Sequence, residues 1–207
     1  MPSEVPPNLP KGFSIDDFKH IRELRAARVL QEITPEALNA VAGTIPVFCS
    51  DGDRAWDIFS HHAETCSKAN YPVRPHIIAF PGAPLLLSED SPKLLGMNTD
   101  ELFIYGIGTG QKLKSITTVV LVPHWPCGMA RQLGISLTRS LALCFGGKKR
   151  IKKLVGIETV VVCLHVDYGK NKHDNDVMKT YYVNREQWVL LAAAKYADWS
   201  AAPEPKI

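Results

Sequence analysis

This chain lacks several things, and each shortage removes a class of protein. No unbroken apolar run is long enough to cross a bilayer, so a membrane-spanning helix is not expected. Neither sign of charge dominates: 24 Lys and Arg face 21 Asp and Glu, a net charge of +3, which makes no electrostatic case for nucleic acid. Internal repeats and low-complexity tracts are missing. The first residues, Met1-Pro2-Ser3-Glu4-Val5-Pro6-Pro7, have neither the basic nor the apolar region of a signal peptide, so a cytoplasmic location is expected. Cysteine is sparse, with five residues, odd in number and scattered at 49, 66, 127, 144 and 163. That excludes a disulfide framework and suits a reducing compartment.

What is present is an ordinary globular composition, 45% hydrophobic and 22% charged over 207 residues, enough for one domain with a real core. Residues 1–12, with four prolines and a glycine, read as an arm; 13–200 as the single domain; 201–207 as a tail. Ser14 can cap a helix whose first turn is acidic, with Phe18, Ile21, Leu24, Ala27 and Leu30 on one face. Thr34-Pro35-Glu36 opens a second helix. Strands are expected near 45–49, 73–80, 119–122, 159–166 and 178–183. Helices are expected over 53–68, 99–113 and 129–144, with a break at Gly146-Gly147, and after Asn184. Alternating strands and helices predict an α/β fold: a mainly parallel sheet of four to five strands with flanking helices and an antiparallel edge hairpin.

Two apolar runs end in soft metal ligands. The run Thr44-Ile45-Pro46-Val47-Phe48 ends at Cys49, followed by Ser50-Asp51-Gly52-Asp53-Arg54; the run from Thr117 to Val122 leads to Pro123-His124-Trp125-Pro126-Cys127-Gly128. In a parallel sheet the ligand site lies beyond the carboxyl ends of the strands, where both segments fall. Two thiolates and an imidazole suit Zn2+, and three protein ligands leave a fourth position for chemistry.

At these two motifs the chain resembles the β-class carbonic anhydrases, over roughly residues 40–185. The family's cysteine-x-aspartate-x-arginine motif stands here as Cys49-Ser50-Asp51 with arginine one place late, at Arg54. Its histidine-x-x-cysteine-glycine motif stands as His124 to Gly128. The aspartate that commonly precedes the second cysteine is Pro126, and the arginine-asparagine-alanine-glycine turn has become Phe80-Pro81-Gly82-Ala83. The resemblance implies zinc on Cys49, His124 and Cys127, and reversible hydration of carbon dioxide to bicarbonate by a metal-bound hydroxide. It implies that Asp51 orients the hydroxide and Arg54 restrains Asp51; with Arg54 out of reach, Asp51 would itself take the fourth zinc position. It also implies a homodimer with the N-terminal helix across the partner, though core packing within one subunit would explain the same apolar face. Two thiolates make the metal's water less acidic than three histidines would, and an acceptor beside it compensates. Rival readings are a zinc-binding relative with a structural or interaction role, and an enzyme acting on another heterocumulene such as carbon disulfide.

Other features read as bland. Asp51 is also a natural helix cap. His61, His62 and Cys66 read as surface side chains, His165-Val166-Asp167 as strand edge and turn with nothing paired to it, and Cys144 and Cys163 as core. Lys148 to Lys153 reads as a solvated helix end.

Overall fold

Helix α1 (Ile15–Ala26) starts at Ser14, whose Oγ accepts from the Asp17 amide at 3.0 Å while Asp17 Oδ2 accepts from the Ser14 amide at 2.9 Å. This reciprocal pair satisfies two amides that the first turn leaves free. The computed structural model describes residues 8–94 and 96–195, so the tail at 201–207 and most of the arm lie outside the described residues. Phe18, Ile21 and Leu24 are buried, and Phe18 lies edge-on to Tyr168 at 6.2 Å. The apolar face ends there, because Leu30 leaves the helix and pairs with Val183 in strand β1 (Leu30–Gln31). Core packing within one chain therefore accounts for the face. Helix α2 (Pro35–Leu38) is a single turn, ended by Asn39 at a left-handed φ of 48°.

The remaining strands are β2 (Ile45–Phe48), β3 (Ile78–Ala79), β4 (Thr118–Val122), β5 (His124–Trp125), β6 (Thr159–Lys170) and β7 (Asp176–Val183). They form one seven-stranded sheet in the order β1-β7-β6-β4-β2-β3, with β5 paired to β6. Pairing is parallel from β3 to β6 and antiparallel at β6–β7 and β1–β7. The expectation of four to five strands is thus corrected: β1, β3 and β5 are two residues each, too short to show a period. The strand expected over 73–80 shrinks to Ile78–Ala79 and one bridge between Thr44 and Pro75. Pro75 has no amide to extend the ladder. Every residue of β2 and β4 is buried, as expected of a parallel sheet covered on both faces.

Helices α3 (Gly52–Lys68), α4 (Thr99–Lys114), α5 (Gly128–Gln132), α6 (Leu137–Val155) and α7 (Arg185–Lys195) complete the described chain. The helix expected over 129–144 is instead α5 and α6, parted at Gly134 with φ +64°. No break occurs at Gly146-Gly147, and α6 runs on to Val155. These glycines serve packing: a Cβ on Gly146 would run into Ser88 Oγ, and one on Gly147 would lie 2.8 Å from Leu87 Cβ. Among the described residues, no helix is long and apolar enough to cross a membrane.

Candidate metal centre

The chain leaves β2 for β3 at the sheet edge, then returns to the other side of β2 as β4. Such a reversal opens a crevice at the carboxyl ends of the two central strands. Phe48 and Val122 are register partners there. Cys49 is the first residue past β2, His124 opens β5 just past β4, and Cys127 stands at the N-terminus of α5.

The ligand atoms of Cys49, His124 and Cys127 all lie within 4.8 Å of one another, and all three residues are buried. Zinc–sulfur and zinc–nitrogen bonds in a tetrahedral site set ligand atoms about 3.5–3.8 Å apart, so small side-chain adjustments close the set on an ion. Both His124 ring nitrogens are buried without a hydrogen-bond partner among the described residues, a costly arrangement that a metal would relieve. Cys49 Sγ accepts from the Gly82 amide at 3.3 Å. The Cys127 thiol, then the His124 ring and this amide, draw the Cys49 thiol far below its usual range. The hydrogen bond with Cys49, then burial, pushes the Cys127 thiol up. Donor types and geometry could hold a metal ion and are compatible with zinc.

Asp51 caps α3 and is paired with Arg54. Its Oδ1 accepts from the Asp53 amide at 3.2 Å, capping α3, and its Oδ2 accepts from Arg54 Nη1 at 2.9 Å. Despite its late position the arginine reaches Asp51: Arg54 sits three residues on in the first helical turn, where side chains share a face. Asp51 Oδ2 lies 3.9 Å from His124 Nε2, and Asp51 is not a member of the ligand cluster. Arg54 also gives Nη2 to Asp167 Oδ2 at 2.8 Å, and Asp167 Oδ1 accepts from the Gly169 amide at 2.7 Å.

Asp167 is the residue that sequence reasoning missed. Strand β6 runs through His165-Val166-Asp167 to Lys170, so these residues are neither edge nor turn, and Asp167 does have a partner. The available signal was alternation, since His165 and Asp167 fall on one face of the strand. His165 is fully buried; its Nδ1 lies 3.0 Å from Thr180 Oγ1, and burial pushes it down to about 3. The surface reading of His62 and Cys66 is also corrected. Cys66 is buried, and His62 Nε2 lies 2.8 Å from Thr44 Oγ1 and 3.7 Å from Cys66 Sγ. Helix α3 packs these residues against the sheet rather than toward solvent. Cys144 and Cys163 are in the core as expected.

A cavity of about 560 Å³ lies over the site, with Asp51, Arg54, Trp125 and Cys127 in its wall. No family model, curated protein or solved structure matches this chain.

Proposed function

We propose that this protein is a zinc-dependent enzyme of the carbonic anhydrase kind, interconverting carbon dioxide and bicarbonate. The observation that carries the reading is the Asp51–Arg54 pair, 2.9 Å long, standing beside a Cys-His-Cys cluster. Cys49, His124 and Cys127 would hold the zinc. Bound there, the metal supplies a Lewis acid that makes water a better nucleophile near neutral pH.

The chain's own residues supply orientation. Asp51, turned by Arg54, offers a carboxylate oxygen 3.9 Å from His124 Nε2, close enough to the ligand set to accept a hydrogen bond from the attacking water. In hydration the water oxygen bonds to the carbon of carbon dioxide, and one proton leaves with bicarbonate as product. Arg54 is held in turn by Asp167, so it cannot follow Asp51 toward the metal without breaking a second ion pair. The proposal includes a homodimer. With the α1 face used within its own chain, the exposed Leu102, Tyr105 and Leu113 of α4 are apolar surface that a second copy would cover.

Stopped-flow hydration of carbon dioxide by zinc-loaded protein, near neutral and at alkaline pH, tests the reading, with Cys127→Ser as control. Activity that vanishes in the variant supports it. No activity at either pH, with one zinc per chain, overturns it in favour of a zinc-binding relative with another role.

A further inference from the structure

The cavity over the metal centre is much larger than carbon dioxide requires. Its 560 Å³ lies within the roughly 300–1,000 Å³ usual for organic ligands, whereas one water accounts for about 30 Å³. The charges in its wall are of two kinds. Arg54 is committed to Asp51 and Asp167. Lys11 and Arg131 line the same cavity, and neither side chain has a carboxylate or hydrogen-bond partner among the described residues.

These two cations come together across 120 positions of sequence through a specific accommodation. Gly12 has φ +88°, and a Cβ there would lie 2.8 Å from Arg131 Nη1 and 3.8 Å from Pro126 Cβ. The Arg131 guanidinium thus lies beside the Lys11-Gly12 turn, where the positive φ favours glycine. Both cations are exposed on one cavity wall, where an anion could pair with each of them. Asp53, also in the wall and unpaired among the described residues, offsets one of them. Counted with the Arg54 pairs, Lys11, Arg54 and Arg131 are balanced by Asp51, Asp53 and Asp167, so there is no excess of positive charge for a dianion and a monoanion between the two unpaired cations is the better match. Trp125, Pro126 and Ile135 give this wall an apolar part, beside Ser136.

We propose that Lys11 and Arg131 form an oxyanion subsite for a small organic monocarboxylate with an apolar body, larger than bicarbonate. The carboxylate pairs with the two cations and the body lies on Trp125, Pro126 and Ile135. Filling the cavity, the ligand covers Cys127 and Asp51 and inhibits the metal centre. This regulatory role rests on the proposed function; the subsite itself does not.

Titration calorimetry on zinc-loaded protein tests the subsite, with benzoate as probe against bicarbonate, inorganic phosphate and neutral benzamide. Benzoate is expected to bind at least about tenfold tighter than the other three, by the strength of charge-assisted pairing plus apolar contact. Arg131→Gln and Lys11→Gln, both at exposed positions, should each weaken benzoate about tenfold while zinc stoichiometry stays at wild type. Binding should persist in the metal-free wild-type protein, which separates the subsite from the metal and from any hydration activity. The proposal is overturned if bicarbonate or phosphate binds as tightly as benzoate, if neither glutamine variant weakens it, or if binding disappears when the metal is removed.

Discussion

Replacing Arg54 by glutamine removes one cation from between two carboxylates. The Arg54 side chain is 14% exposed, Asp167 9% and Asp51 27%. Taking away one partner of a buried pair costs about 3–5 kcal/mol, because the other charge is stranded. Asp167 keeps its bond from the Gly169 amide at 2.7 Å, and Asp51 can turn toward water, so the low end, about 3 kcal/mol, applies. In a chain of this size each kcal/mol moves the melting midpoint by roughly 2–4 °C, giving a fall of about 6–12 °C. Adding Asp167→Asn removes the stranded charge and should restore most of the loss, with a coupling energy of about 2 kcal/mol in the cycle. The assay is thermal unfolding by circular dichroism of the four proteins, with and without zinc. If Arg54→Gln melts within about 2 °C of wild type, or the second substitution makes matters worse, the bridge does not carry the energy assigned to it. The same variant should lose most hydration activity while still binding zinc, since Asp51 is no longer held.

Zinc at a thousandfold over its dissociation constant should stabilise the fold by about 4 kcal/mol, read as a concentration-dependent melting shift that His124→Ala abolishes. An unchanged melting curve would mean that these three residues do not form a site. Burial pushes His62 from 6.5 down to about 4. The unfolded chain therefore takes up the proton first, and stability is lost as pH falls from 6.5 toward 4. Between pH 6.5 and 4.5 the loss from this group is about 2–3 kcal/mol, visible in urea unfolding; His62→Gln should flatten that slope, and an unaltered slope would refute the assignment. Gly147→Ala should destabilise by about 1–2 kcal/mol although alanine is the better helix former, because its Cβ meets Leu87. A more stable variant would show that α6 has room to shift.

The fold was legible where hydrophobic pattern and local chemistry coincide. The cap at Ser14, the buried runs of β2 and β4 and the start of α7 are set by residues within one turn or one strand of each other. Failures came where distant packing overrides local propensity. Gly146 and Gly147 look like a helix break, yet they lie inside α6 because Leu87 and Ser88 press against it. Strands β1 and β3 exist only because a neighbour offers them a ladder, and two residues leave no periodic trace.

The candidate site divides in the same way. The sequence by itself determined the ligand types and their placement just past two apolar strands, since a parallel sheet must deliver such positions to one end. Whether Arg54 reached Asp51 was not decided by the motif; it followed once α3 began at Gly52 and put the two residues on one face of the first turn. Only the tertiary structure brought Asp167 to Arg54 across 113 positions, and Lys11 to the wall that carries Arg131. The physical reason is range. Backbone sterics, capping and periodicity act over a few residues of chain, while ion pairs and cavities depend on side chains that only the packed sheet makes neighbours.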